Sequence, residues 1–357
     1  MREYYCQFDS VQNEGQIIKR ADIIKNSFTR PPLLYNKKGD KKIVMAYDPA
    51  RSTDNSILTV AEFREDPHKG WMADIVNCVS FVDLGLKNKT PMMTQDQIRA
   101  IRQILLNYNG PAPDYDNLEC FLADAGAGGG GNSWVRDSLI EDWTDKAGNS
   151  HPGLIDKEYS PEYARRYPKA INKLMLIEPA KRKSEMFEAM IKMIEGGYVT
   201  FPENYDGKGY LSLLDVDQKV LSATRKKLED KYSKMELSVE EFEEKVAEEM
   251  EKLDIGKIKM YKLSPDEEAA LGQIDLLKEE VVNAVRVKRE SGKDQFKISP
   301  EKSADTGGTL HDDRLYTLAM ICWYLSQKRV EHIRKRKATP TSDLLDILSF
   351  RKPKSVI

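Results

Sequence analysis

Soft metal ligands are scarce in this chain: 357 residues hold four cysteines and four histidines. Cys6, Cys78, Cys120 and Cys322 form no C-x-x-C pair, and Cys120 and Cys322 sit in apolar runs where a thiol packs as a small hydrophobe. That pattern argues against a zinc–thiolate centre and a disulfide framework, and it fits a reducing interior. With no H-E-x-x-H, a zinc protease of that type is excluded. With no G-x-x-x-x-G-K-[ST], a P-loop ATPase is excluded for this sequence. No apolar run is long enough to span a bilayer and no secretory leader is seen, so an intracellular protein without membrane contact is expected. Charge of one sign is missing as well: 56 Lys and Arg against 58 Asp and Glu leave −2. A face for a polyanion must then be a local patch rather than a global field.

The length allows one large domain or two smaller ones. Residues 1–40 read as a polar connector, with the basic stretch Ile17-Ile18-Lys19-Arg20 and a close at Arg30-Pro31-Pro32, where paired prolines disfavour helix. From Lys41 the pattern becomes regular. Strands are expected at Ile43–Tyr47, Ile57–Phe63 and Met72–Phe81, and the short connections between them favour an antiparallel meander. Thr94-x-x-Gln97 reads as a capping box opening a helix with the stripe Ile98, Ile101 and Leu105, stopped at Asn109-Gly110. A strand at Leu118–Ala123 runs into a glycine-rich loop from Gly126 to Gly131 and then a helix carrying Val135, Leu139 and Trp143. A further strand at Leu174–Ile177 precedes a helix that packs Met186, Phe187, Met190 and Ile194 and ends at Gly196-Gly197.

Residues 205–262 break this rhythm. Val220, Leu221, Thr224 and Leu228 form one apolar stripe, and Phe242, Val246, Met250 and Leu253 a second behind the cap Ser238-x-x-Glu241, so an inserted helical hairpin is expected. Ser264-Pro265-Asp266-Glu267 opens another helix with the stripe Leu271, Ile274, Leu277, Val281 and Val285. A last helix starts near Asp312 and buries Leu315, Leu318, Ala319 and Cys322. Residues 331–357 read as a mobile basic tail, in which a short apolar run, Leu344 to Leu348, is suited to ordering on a partner.

Chemistry concentrates on acids at strand ends. Asp48 follows five apolar residues that read as a strand buried on both faces, and Pro49 cannot continue the ladder. Asp124 follows the next central strand in the same way, and Asp312 and Asp313 open the last helix. A single such aspartate more often caps a turn. Four of them, at the rim where open α/β sheets bind ligands, point to a metal-dependent hydrolase. Asp54 is a candidate auxiliary ligand, and Lys181, Arg182 and Lys183 are candidates for weak contacts to DNA phosphates. Asp312 and Asp313 diverge by about 100° on a helix, so one ligates directly while the other supports it or binds a second ion.

The element order resembles the ribonuclease H-like fold over roughly Lys41 to Arg329. Within it, Asp48-Pro49-Ala50 with Asp54, Asp124-x-Gly126-x-Gly128 and His311-Asp312-Asp313-Arg314-Leu315 are similar to the motifs of the nuclease domain of tailed-bacteriophage large terminase subunits. Glu3-Tyr4-Tyr5-Cys6-Gln7-Phe8 resembles the segment joining that domain to the packaging ATPase. The resemblance implies an α/β fold with a mixed central sheet flanked by helices, the first and fourth strands being parallel neighbours about 4.8 Å apart. It implies phosphodiester hydrolysis by two Mg²⁺ or Mn²⁺ ions about 4 Å apart, held by Asp48, Asp124, Asp312 and Asp313. It also implies double-stranded DNA as substrate and, as partners, an ATPase domain or chain, the portal or procapsid and the small terminase subunit, in the host cytoplasm. Other readings are a resolvase- or transposase-like nuclease of the same fold and a non-catalytic assembly module. An ATP-binding protein of the actin and sugar-kinase type expects two related halves, and no internal repeat is found.

Overall fold

The computed structural model describes residues 15–49, 56–67, 69–83, 90–126, 133–215, 257–288, 294–298 and 312–338, with Lys227, Lys231, Glu241 and Lys245. The chain enters through α1 (Arg20–Lys25) and a two-residue strand, β1 (Ser27–Phe28). β2 (Lys42–Asp48), β3 (Ile57–Asp66) and β4 (Gly70–Ser80) follow as an antiparallel meander. Then come α2 (Thr94–Asn109), β5 (Leu118–Asp124), α3 (Ser133–Ile140), β6 (Leu174–Ile177), α4 (Pro179–Glu195) and β7 (Val199–Pro202). β8 (Tyr210–Asp215) and β9 (Lys257–Lys262) precede α5 (Pro265–Val282), β10 (Ala284–Lys288), β11 (Asp294–Ile298) and α6 (Asp313–Ala338).

Seven strands form the central sheet in the order β1-β7-β4-β3-β2-β5-β6. Both neighbours of β3 run antiparallel to it, while β2–β5, β5–β6, β4–β7 and β7–β1 pair in parallel. The inner order β4-β3-β2-β5-β6 is the ribonuclease H-like arrangement, with β7 and β1 added at the meander edge. Side-chain alternation divides the core between the two faces. Val44 and Ala46 of β2 and Cys120 and Leu122 of β5 pack with α4, α5 and α6. Ile43, Met45, Tyr47, Phe121 and Ala123 pack on the other face with α2 and α3.

Most of the expected elements are present, and the differences have local causes. Thr94 does not cap α2: the helix starts at Thr94 itself after Met93, with no side-chain cap bond. Gln97 is instead buried, donating to the Met92 carbonyl at 2.7 Å and accepting from the Tyr47 hydroxyl, so a core contact took the residue expected in the cap. Trp143 lies beyond α3, in a two-residue strand paired with Ser150 and His151, where its indole N–H donates to Tyr115 at 2.8 Å. Val285 falls on β10, because α5 ends at Val282 and the cap at Asn283 turns the chain into a strand. The cap that opens α5 is as expected, with Ser264 and Glu267 bonding each other's backbone N–H groups. Gly110 ends α2 at φ +59°, and a Cβ there would lie 2.2 Å from the Asn36 carbonyl oxygen.

Part of the expected connector is built into the domain. Ile18 and Ile23 are buried, Arg20 bonds Glu279 through two nitrogens at 2.6 and 2.8 Å, and β1 completes the sheet edge. The insertion begins and ends as an antiparallel ribbon, β8 with β9, rather than as helix. Beyond it, Lys227, Lys231, Glu241 and Lys245 are helical, and the other residues of the expected hairpin lie outside the described residues. α6 runs on to Ala338 and takes in the basic run Arg334 to Lys337, whereas residues 339–357 lie outside the described residues.

Asp74 ties the meander edge together. Its carboxylate accepts from Arg64 Nε on β3 and Thr200 Oγ1 on β7, each at 2.6 Å, and lies 3.5 Å from Arg30. Burial alone would raise this carboxyl; the bonds from Arg64 and Thr200 and the Arg30 charge outweigh it and hold it below the ordinary value. The native state therefore binds fewer protons at this group than the unfolded chain does. Its stabilising contribution is complete above about pH 4 and is lost as pH falls through the depressed value. Asp74→Asn should lower the melting temperature at pH 7 and flatten its decline between pH 5 and 3; parallel curves for the two proteins would contradict this.

Candidate active site

Two aspartates reach the same rim because their strands are parallel. Tyr47 of β2 pairs with Ala123 of β5, so Asp48 and Asp124 each lie one residue further along. Alternation then sets their face. Asp48 follows Val44 and Ala46, and Asp124 follows Cys120 and Leu122, so both side chains lie on the side covered by α4 and α6. Asp124 Oδ1 also accepts the Gly126 N–H at 2.6 Å, which fixes its orientation as the chain leaves the strand.

The third acidic position comes from α6. Asp312 precedes the helix and its carbonyl accepts the Tyr316 N–H at 2.9 Å; Asp313 is the first helical residue. What fixes this helix start is a buried ion pair. Arg314 Nη1 donates to Glu280 Oε1 of α5 at 2.6 Å, and the Leu315 N–H donates to Glu280 Oε2 at 3.0 Å. Glu280 is fully buried, and Arg314 also donates twice to Gln273 Oε1, at 3.1 and 2.8 Å. Burial pushes the Glu280 carboxyl up to about 7 against the pull of Arg314. One turn on, Thr317 meets Thr59 of β3 at 2.7 Å, which seats the helix on the sheet.

The other acids act on Asp48. Burial raises the Asp48 carboxyl well above its usual range, and the charges of Asp124, Asp313 and Asp312 raise it further, while Lys183 opposes them. Asp124 is also raised by burial, against the Gly126 N–H and Lys183. Of the adjacent pair, Asp313 bears more strongly on Asp48. Asp312 is the one near Lys183, with Oδ2 4.0 Å from the ammonium. Tyr316 completes this side of the site: burial, then the charges of Asp124, Asp48 and Asp312, keep its hydroxyl protonated.

The donor set is all carboxylate, the kind a hard divalent cation takes. Among the described residues, no three His, Cys, Asp or Glu side chains stand close enough together to hold a metal ion between them. Mg²⁺ is held through one or two carboxylates and keeps several waters, so an open rim of acids suits it better than Zn²⁺.

Of the residues singled out in the sequence, Asp124, Asp312 and Asp313 bear on Asp48, and Lys183 stands beside Asp312. Lys181 and Arg182 do not join them. Lys181 pairs with Glu178 at 2.6 Å, and Arg182 lies over the Trp323 ring. Asp54, His311 and the glycine loop beyond Gly126 lie outside the described residues. Tyr316, Arg314 and Glu280 were missed. The trace that Arg314 and Glu280 leave in the sequence is a charged residue inside each of two otherwise apolar helix faces; Tyr316 leaves none.

No family model and no curated protein matches the chain. Solved structures similar over most of its length are nuclease domains of phage large terminases. The large terminase nuclease of thermophilic phage G20c with bound magnesium is 10% identical, covering 88% of this chain and 98% of that one at a TM-score of 0.40. That of Thermus phage P74-26 is 11% identical, with 85% and 93% covered and a TM-score of 0.36. The nuclease domain of the large terminase subunit gp2 of bacterial virus Sf6 is 12% identical, with 86% and 97% covered and a TM-score of 0.37.

If the Glu280–Arg314 pair fixes the start of α6, then Glu280→Leu should cost about 3–5 kcal/mol by leaving a buried guanidinium uncompensated. Adding Arg314→Met should recover most of that loss. Urea denaturation of the two variants decides it: a double variant no more stable than the single one would show that the pair is not the coupled unit.

Proposed function

We propose that this chain is a divalent-metal-dependent DNA endonuclease that cuts concatemeric viral DNA during genome packaging. The observation that carries the reading is that Asp48 and Asp124 end parallel neighbouring strands at one rim, and that Asp313 and Asp312 lie within electrostatic reach of Asp48. Acids from separate segments raise the proton affinity of Asp48 beyond what burial does, an arrangement that costs stability unless it serves a cation.

Asp48, Asp124 and one or both of Asp312 and Asp313 would hold Mg²⁺ or Mn²⁺, two ions by the resemblance, with Asp54 as an auxiliary ligand. Bound there, the metal supplies activation of water and charge stabilisation at a phosphodiester. The chain's own residues set the geometry. Gly126 orients Asp124, and the Glu280–Arg314 pair fixes Asp312 and Asp313. Tyr316 keeps a protonated hydroxyl, buried and without a hydrogen-bond partner among the described residues, within the field of the acids. Lys183, at the start of α4 directly after β6, contributes a cation beside the acids for the DNA backbone, and Lys181 and Arg182 extend the basic turn away from them. The packaging ATPase, the small terminase subunit and the portal or procapsid are the partners this role requires.

Two outcomes test the reading. Asp48→Asn and Asp124→Asn should each abolish Mg²⁺- or Mn²⁺-dependent cleavage of plasmid DNA while thermal stability holds or rises, since each removes like-charge repulsion. Full activity in either variant would sink the assignment. Cleavage by this domain should also show little sequence preference, and its DNA affinity should fall steeply between 50 and 200 mM salt, by about 10³-fold if some six phosphates are contacted. Sharply sequence-specific cutting, or affinity insensitive to salt, would count against it.

A further inference from the structure

Three cations stand together in the first turns of α4, and they face different ways. Lys181 Nζ lies 2.6 Å from Glu178 Oε2. Arg182 stacks 5.0 Å from the centroid of Trp323 and reaches Glu185 at 3.6 Å. Lys183 turns to the acids. Its Nζ is 4.0 Å from Asp312 Oδ2, and 5.6 and 5.8 Å from the ring centroids of Tyr316 and Phe187. Its charge also favours the ionised forms of Asp48 and Asp124. A separation of 4.0 Å is beyond hydrogen-bond reach. The ammonium is thus held beside the acids by aromatic faces and by their summed field, with no side-chain oxygen among the described residues within hydrogen-bond distance.

Resting on the nuclease reading above, we propose that Lys183 contacts the phosphate being cut and stabilises the charge that builds on its non-bridging oxygens. In the hydrolysis a water oxygen bonds to phosphorus and the bond from phosphorus to the leaving oxygen breaks. One water proton ends on the leaving hydroxyl and the other on the product phosphate or solvent. Lys183 makes and breaks no covalent bond and stays an ammonium throughout. Before DNA arrives, the same charge opposes metal binding at the acids, because two cations compete for one cluster.

That competition separates this role from a structural one. The experiment compares Lys183→Gln, Lys183→Arg and, as a control on the exposed last turn of α4, Lys192→Gln. Each is measured for single-turnover Mn²⁺-dependent cleavage of saturating duplex, for duplex affinity without divalent metal, and for Mn²⁺ affinity by titration calorimetry. Lys183→Gln should cut about 10²-fold more slowly while binding Mn²⁺ at least as tightly as the wild type and duplex nearly as well. Lys183→Arg should recover part of the rate, and Lys192→Gln should match the wild type. Three results would overturn the proposal: wild-type cleavage by Lys183→Gln; slowing in step with weakened Mn²⁺ binding; or an unchanged rate with lost duplex affinity and a salt slope smaller by about 1. Wild-type protein that cuts nothing, or Asp48→Asn that cuts as well as wild type, would instead bring down the nuclease reading, and this role with it.

Discussion

The buried pair between Arg314 and Glu280 fixes the part of the site that the sheet cannot. Asp48 and Asp124 are placed by strand pairing, whereas Asp312 and Asp313 sit where a long helix begins, and helix starts fray. Here Glu280 accepts from both the Arg314 side chain and the Leu315 backbone, so side chain and main chain are fixed to α5 together. A buried ion pair adds little net stability over an apolar contact. It does penalise any shift of the helix by leaving a charge unpaired, so it sets the register of Asp313 against Asp48.

The mixed direction of the sheet is the second requirement. Were β2 and β5 antiparallel neighbours, Asp48 and Asp124 would lie at opposite ends of the sheet. Parallel pairing brings both C-terminal ends to one rim, and two-residue alternation puts both side chains on the face covered by α6. β3 returns the chain between β2 and β4, so the meander lies on one side of the acid-bearing pair and β6 on the other. β6 then leads directly into α4, which delivers Lys183 beside the same acids.

Much of this was legible in the sequence because strand and helix periods are local properties. The apolar run ending at Asp48, its counterpart ending at Asp124 and the acidic start of the last helix needed no tertiary information. What escaped depends on contacts between distant segments. Gln97 looks like a cap residue until Tyr47 claims it. Glu280 and Arg314 interrupt apolar helix faces for no local reason until they meet. Lys181, Arg182 and Lys183 look equivalent until Glu178, Trp323 and Asp312 distinguish them. The ends of the insertion read as parts of a helical unit because the pairing of β8 with β9 joins segments far apart in sequence.

The most direct test of the central claim is anomalous diffraction from crystals of this protein soaked in Mn²⁺. The account predicts a strong anomalous peak bounded by Asp48, Asp124 and the Asp312–Asp313 pair, and its loss in crystals of Asp124→Asn. A peak elsewhere on the molecule, or none in crystals whose acids are open to solvent, would contradict it.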